Sequence, residues 1–266
     1  MDKSKSIVPF TTPSIANVKH LHIEDCRINN HGMIDLFSKI KMLETPLQLL
    51  NIGGNKIDDD IMPALCDCLH KIERLKMDHI PTLSPDGMRL LTEEIKQLKK
   101  PIRLLNIGYT PMKDQGISFL SSCLFNIDEL IAEGCEISNS GLKTLSDSIK
   151  SLRNHKLRYL SLQDNNFEFS KSRSREVHVG KSFDPDGTGL FIYNCLINVE
   201  RLNIGCVHQD DSNGEKFQNI ISKILDLPEP RPKLQWREED DVGYRGVDLC
   251  TEGCFLYTDY AYAGQN

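Results

Sequence analysis

Residues 102–124 read IRLLNIGYTPMKDQGISFLSSCL. Within this stretch, Ile102, Leu105 and Ile107 have the close, alternating spacing of a short strand with one buried face. From Gly116 onward the apolar residues are instead three and four positions apart, which places them on one face of a helix. The stretch therefore predicts one short strand followed by one helix.

The same pattern occurs seven times along the chain, and we number the occurrences as units 1 to 7. Their first apolar residues lie at positions 18, 47, 72, 102, 127, 157 and 199. The first five intervals alternate between 29 or 30 residues and 25 residues. Self-similarity of this kind is the signature of a repeat protein, in which neighbouring units bury each other's apolar faces.

Stacking of such units predicts an α/β horseshoe solenoid, with parallel strands on the concave face and helices on the convex face. We expect seven or eight strands between about residue 18 and residue 236, with Leu234 and Trp236 in the last strand. The position after each strand is mostly small and polar, which suits a side chain that bonds buried backbone groups at the bend. It is occupied by Cys26, Asn55, Thr110, Cys135 and Asn165.

The segments LQLLNIGGNKI, IRLLNIGYTPMKDQG, IDELIAEGCEISNSG and LRYLSLQDNNF resemble the L-x-x-L-x-L-x-x-N/C-x-L signature of leucine-rich repeats. The repeat lengths and their alternation are similar to those of the ribonuclease-inhibitor subclass. The resemblance covers about residues 18–227. The resemblance implies the fold and says little about function, because members of that subclass include nuclease inhibitors, the GTPase-activating protein of the Ran GTPase, actin-filament caps, innate-immune sensors and bacterial effectors.

The repeat pattern divides the chain into three parts. Residues 1–17 are expected to form an N-terminal cap, residues 18–227 the seven repeats, and residues 228–266 a C-terminal cap and tail. The sixth unit contains an insertion at about 168–186, which lacks the apolar spacing and is rich in Ser, Lys and Arg. We expect this insertion to be mobile and dispensable for folding.

Composition restricts the partners and the compartment. The net charge of −6 and the pI of about 5.8 provide no field for nucleic acid or an anionic membrane surface, so neither is an expected partner. Nine cysteines cannot all pair within one chain, which favours free thiols in the cytoplasm. No apolar run is long enough for a signal peptide or a membrane span. A cytoplasmic monomer is expected.

Three short motifs suggest chemistry, but each lacks an essential residue. VGKS at 179–182 resembles a phosphate-binding loop, yet Arg175 stands where the first glycine is needed. DPDGTG begins a calcium loop at 184, but Cys195 replaces the bidentate glutamate. Cys66 and His70 supply two zinc ligands where four are needed. The sequence therefore predicts no enzyme, no catalytic residues, no metal and no cofactor.

Candidate binding residues lie on the predicted concave face. In the strand pattern the third, fifth, seventh and eighth residues point to that face or its rim, and several are apolar or aromatic although solvent requires nothing apolar there. Such a stripe mixed with charged residues is typical of a protein-binding surface. The predicted partner-binding residues are Leu49, Arg74, Lys76, Leu104, Tyr109, Glu129, Ile131, Glu133, Tyr159 and Arg201.

The leading hypothesis is an adaptor or inhibitor that docks another protein on this face. A bacterial effector acting in the host cytosol is one form of it, because an acidic stretch lies near the C-terminus of a stand-alone array. The alternative is a regulator of a partner's catalysis, such as a GTPase-activating protein, with Arg74, Lys76 and Arg201 aimed at a nucleotide. A purely structural spacer is disfavoured by the apolar concave positions.

Overall fold

The computed structural model describes residues 15–152, 157–162, 164 and 165, together with the backbone of three later strands. Nine strands form one sheet. Their bounds are β1 His20–His22, β2 Leu49–Asn51, β3 Arg74–Lys76, β4 Leu104–Asn106, β5 Glu129–Ile131, β6 Tyr159–Ser161, β7 Arg201–Cys206, β8 Lys233–Glu238 and β9 Arg245–Cys250. The predicted insertion at 168–186 lies outside the described residues, as does most of the predicted cap at 1–17 and of the tail.

Strands β1 to β7 pair in chain order and every pair is parallel. This confirms the predicted α/β horseshoe. The predicted eighth parallel strand, containing Leu234 and Trp236, is wrong in its direction and position. Strand β8 lies at the outer edge and pairs antiparallel with β9, which pairs antiparallel with β7. Only residues 239–244 separate β8 from β9, and a parallel partner would need a crossover of a dozen or more residues.

The helices reproduce the alternation of the repeat lengths. Their bounds are α1 Asn30–Lys41, α2 Met62–Cys68, α3 Pro85–Gln97, α4 Lys113–Ser121 and α5 Asn139–Ser151. The helices of the long units, α1, α3 and α5, have 12 or 13 residues, whereas α2 and α4 have 7 and 9. Each short helix ends in a single 3-10 turn, Leu69–Lys71 or Leu124–Asn126. The shorter repeat length of units 2 and 4 therefore comes from their shorter α-helices.

One continuous apolar core lies between the sheet and the helices. Leu50, Leu75, Leu105, Leu130 and Leu160 occupy the centre of successive strands and are fully buried. The hydrophobic residues of each helix recur three and four positions apart and complete the core from the other side. This arrangement leaves the opposite, concave surface of the sheet outside the main core.

Glycine is required near the start of α3 and of α5 because a larger side chain would clash there. A Cβ on Gly87 would lie 2.3 Å from Asp59 Oδ1, and a Cβ on Gly141 would lie 2.4 Å from Asp114 Oδ1. Each aspartate belongs to the preceding unit and also accepts the backbone N–H of the serine that caps the next helix. The carboxylate therefore joins two neighbouring units, and only glycine leaves room for it.

In units 2, 4, 5 and 6 the side chain after the strand bonds the backbone, as predicted, whereas unit 3 has the apolar Ile80 at this position. Asn55 is 4% exposed, accepts the N–H of Ile28 at 2.9 Å, and donates to the carbonyls of Ile23 and Ile52 at 2.7 and 2.8 Å. Asn165 makes equivalent bonds in unit 6. Thr110 makes longer ones, and Cys26 in unit 1 is exposed. The side chains in this position connect consecutive units.

Candidate functional site

The parallel register brings the predicted binding residues into rows across the concave face. The third residues of the strand pattern are lateral neighbours, and we call them the first row: His20, Leu49, Arg74, Leu104, Glu129 and Tyr159. The fifth residues form the second row: His22, Asn51, Lys76, Asn106, Ile131 and Ser161. Arg201 continues the first row in β7, where only the backbone is described.

One predicted residue does not contribute an exposed apolar surface. Leu104 is only 4% exposed, although it lies outside the main core cluster. In the first row it lies between Arg74 and Glu129, and those two side chains form an ion pair of 3.2 Å. Because the pair spans two strand spacings, it covers the residue between its partners. The expectation that Leu104 is exposed was therefore wrong.

The other apolar candidates are more accessible. Leu49, Ile131 and Tyr159 are half-buried, and Tyr109 is 41% exposed. Tyr109 and Glu133 lie beyond the ends of their strands rather than in the first two rows. The concave face is thus divided into a flat, two-row part over the strands and an edge where the strands end.

That edge has an unusual backbone. In each of units 1 to 6 the eighth residue of the pattern is left-handed, with φ between +52° and +65°. These residues are Asp25, Gly54, His79, Tyr109, Gly134 and Asp164. A left-handed conformation is uncommon for bulky residues, and its cost is of the order of 1 kcal/mol or more. At His79 and Tyr109 it directs a ring away from the core and onto the edge.

The ring of Tyr109 is held on both sides. Its hydroxyl donates to Asp164 Oδ2 at 2.6 Å, across the intervening unit 5. The ring passes over Gly134, where a Cβ would lie 2.5 Å from the ring, so the position requires glycine. On the other side the imidazole of His79 stacks on it, with 4.6 Å between ring centres. An exposed aromatic side chain is therefore fixed in one orientation before any partner arrives.

Acidic side chains surround this ring. Asp78 accepts from Asn106 Nδ2 at 3.1 Å and lies 2.9 Å from His79 Nδ1. Glu133 accepts a short hydrogen bond from Ser161 Oγ. Burial raises the pKa of Glu133, the Ser161 bond opposes this, and the charges of Asp164 and Asp78 raise the pKa further. We call these three carboxylates and the Tyr109 ring the aromatic–acidic edge.

Sequence reasoning placed these positions on the concave side but selected only Tyr109 and Glu133. Asp78, His79 and Asp164 were missed. A signal was present in the seventh residues of units 1 to 5, which alternate between an acid and a glycine: Glu24, Gly53, Asp78, Gly108 and Glu133. A glycine between two acidic positions leaves space on the sheet, so that the acidic side chains of the units on either side can approach each other.

We expect Glu133→Gln to raise the melting temperature by about 2 °C at pH 7.5. With its folded-state pKa raised, Glu133 contributes stability that is fully present below its unfolded pKa and is lost as pH rises through the folded pKa. Glutamine can still accept the hydrogen bond from Ser161. The increase in melting temperature should therefore become smaller as the pH is lowered to 4.5. Thermal unfolding at both pH values tests this, with the exposed Glu136→Gln as an equal charge change. A gain that does not depend on pH would contradict the prediction.

The described residues provide little for covalent or metal chemistry. The five cysteines whose side chains are described are unpaired. Burial raises the pKa of Cys66 to about 11 and those of Cys68, Cys123 and Cys135 to about 12, so these thiols stay protonated at neutral pH and are poor nucleophiles. Within the described ranges, no three His, Cys, Asp or Glu side chains are arranged to hold a metal ion. None of the described helices has the length and apolar character needed to cross a bilayer.

Comparison with known proteins agrees with the fold. A family model described as Leucine Rich repeat matches residues 45–66 and 153–168, which lie in units 2 and 6. No curated protein matches the chain in sequence. Leucine-rich repeats are typical of protein-interaction modules. The matched segments carry the leucine-rich-repeat pattern, and the parallel strands and alternating helices of the described residues have the architecture of an α/β horseshoe solenoid.

Proposed function

We propose that the chain is an adaptor or inhibitor that docks a partner protein on its concave face. We also assign it to the ribonuclease-inhibitor-like subclass, because long and short helices alternate through the first five units. The five unpaired cysteines suit a reducing compartment, so the proposed location is the cytoplasm, and the host cytosol if the protein is a translocated effector.

The observation that carries the proposal is the fixed, exposed ring of Tyr109. Binding energy at protein interfaces concentrates in a few large side chains, with tyrosine among the commonest. Ordering such a side chain on binding ordinarily costs about 0.5–1.5 kcal/mol. Here Asp164 and His79 already hold the ring, so most of that cost is met when the protein folds. The left-handed backbone recurs in every one of units 1 to 6 and belongs to the fold, but folding does not require an exposed ring at this position.

The surrounding surface is large enough for an ordinary interface. Seven parallel strands at about 4.8 Å spacing extend roughly 30 Å, and an interface commonly buries about 800 Å² on each partner. Ile131 and Tyr159 belong to units 5 and 6, beside the unit that carries Tyr109. These three half-buried or exposed side chains lie in one patch of roughly 10 Å.

The alternative function, regulation of a partner's catalysis, requires a cationic side chain free to reach a nucleotide. Arg74 is instead engaged by Glu129 at 3.2 Å. Glu129 is also 3.9 Å from Arg158, so it is held in an ionic network rather than displaced easily. The alternative therefore loses one of its three candidate cations, while Lys76 makes no ion pair among the described residues.

The test is the affinity of a partner isolated by pull-down from a eukaryotic lysate. We expect Tyr109→Gly combined with Tyr159→Ala to weaken the Kd about 30-fold, which is about 2 kcal/mol. Glycine suits position 109 because the equivalent residues, Gly54 and Gly134, have the same left-handed backbone. Calorimetry measures the Kd.

The control removes equally exposed apolar surface from the helical side. Met42 is 70% exposed and Phe125 47%, and both lie at the ends of helical segments. Met42→Ala combined with Phe125→Ala should leave the Kd within about twofold. An unchanged Kd for a folded Tyr109/Tyr159 variant would place docking on the insertion or the C-terminal tail instead.

A further inference from the structure

The aromatic–acidic edge brings three carboxylates together, and Glu133 is the one whose surroundings are most acidic. Glu133 receives the influence of both Asp78 and Asp164, although the three belong to units 3, 5 and 6. Among the described residues, no lysine or arginine lies within ion-pairing distance of Glu133. Its only hydrogen bond from a described side chain reaches one of its two carboxylate oxygens, Oε1.

The contrast with Glu129 shows that this lack of compensation is local. Glu129 lies only four residues earlier, in the same unit, and is approached by Arg74 and Arg158. Among the described residues, the face therefore supplies cations to Glu129 over the strands but none within ion-pairing distance of Glu133 at the edge. Gathering like charges in a half-buried place without a cation opposes folding, and such an arrangement is typical of a binding surface.

The geometry favours a side-chain cation over a metal ion. The carboxylates are close enough to raise the pKa of Glu133, but no three acidic or histidine side chains in the described ranges converge as metal ligands do. A guanidinium or ammonium group on a flexible stem can bond carboxylates that lie further apart. The Tyr109 ring beside them is 41% exposed and offers an apolar contact for the methylene stem of the same side chain.

We infer that the aromatic–acidic edge docks a basic segment of the partner protein, with a Lys or Arg side chain bonded to Glu133 and Asp78 beside the ring of Tyr109. This inference rests on the proposed concave docking function and names the chemistry of its partner. The negative residues continue to Asp25 in unit 1, five strand spacings or about 24 Å from Asp164. A helix of about 16 residues lying across the strand ends would span that distance.

The test uses two fluorescein-labelled 16-residue peptides built from Ala and Gln, one with Arg and one with Glu at every fourth position. Fluorescence anisotropy with the intact chain measures their Kd values. We expect the Arg peptide to bind with a sub-millimolar Kd in 50 mM salt and more weakly in 150 mM salt. The Glu peptide should not bind. Binding of both peptides, or of neither, would overturn the inference.

Two variants locate the binding. Asp78→Asn combined with Glu133→Gln should raise the Kd of the Arg peptide at least tenfold. Glu133→Gln alone should raise this Kd several-fold while the protein stays folded. Asp60→Asn combined with Asp147→Asn removes the same charge from exposed positions on the helical side and should change the Kd less than twofold. Equal losses in the two double variants would show non-specific attraction and overturn the inference.

The outcome is separable from that of the proposed function. The docking proposal fails if the Tyr109/Tyr159 variant leaves the affinity of the isolated partner unchanged. The present inference fails if the Arg peptide has the same Kd for the Asp78/Glu133 variant as for the parent protein. This holds whatever the affinity of the isolated partner. In that case the concave face would still be a docking surface, but for a partner without a basic segment.

Discussion

Replacing Asn55 by alanine is expected to lower the free energy of unfolding by about 4 kcal/mol. The side chain is 4% exposed and satisfies three buried backbone groups, the N–H of Ile28 and the carbonyls of Ile23 and Ile52. Alanine leaves all three without a partner, and each buried unsatisfied group costs about 1–3 kcal/mol. Denaturant unfolding measures the loss, and hydrogen exchange should locate it in units 1 and 2.

The equivalent position in other units provides graded controls for this change. Thr110 bonds the N–H of Ile80 and the carbonyl of Met77 at 3.4 and 3.5 Å, so Thr110→Ala should cost only about 1 kcal/mol. Cys26 is exposed, and Cys26→Ala should cost less than about 0.5 kcal/mol. Equal losses at the three positions would mean that the bonds between units do not determine the stability of the bend.

The fold was predictable because one period governs every unit. Residues such as Leu105 and Gly116 recur at fixed spacing, and each unit has only one way to bury them against its neighbours. The polar residue after the strand was predictable for a related reason, since Asn55 and Asn165 bond the backbone of the preceding unit in the same way. Both features join only neighbouring units, so the repeat pattern is enough to predict them.

The concave face was less predictable because its contacts join units that are not adjacent. Arg74 and Glu129 are 55 residues apart, as are Tyr109 and Asp164, and each pair reaches across a unit between them. The strand pattern predicts on which face of the sheet a side chain lies. It does not predict which side chains of other units cover it. The burial of Leu104 therefore required the structure.

The end of the sheet was unpredictable for a different reason. Leu234 and Trp236 have the apolar spacing of one more strand, and the period of the earlier units suggested a parallel one. The pattern contains no information on direction, which depends here on the short connection between β8 and β9. The ring orientation of Tyr109 also depends on a left-handed backbone that no side-chain pattern reveals.

The second large effect concerns the two adjacent leucines of β4. Leu105→Ala is expected to lower the free energy of unfolding by about 2–5 kcal/mol. Its side chain is fully buried in the core, between Leu75 and Leu130 of the neighbouring strands. The stacked units surround the site on both sides, so the cavity left by alanine cannot collapse easily. Denaturant unfolding of the variant measures the loss.

Leu104→Ala is the matched control, since it makes the same change one residue earlier and on the opposite face. Leu104 is covered by the Arg74–Glu129 ion pair rather than by the core. The Arg74 and Glu129 side chains can move to fill the space left by alanine. We therefore expect the free energy of unfolding to fall by about 1 kcal/mol or less. If both variants lost the same stability, the sheet would bury apolar residues equally on both faces. The concave side would then be a second core, and the premise of a docking face on it would fail.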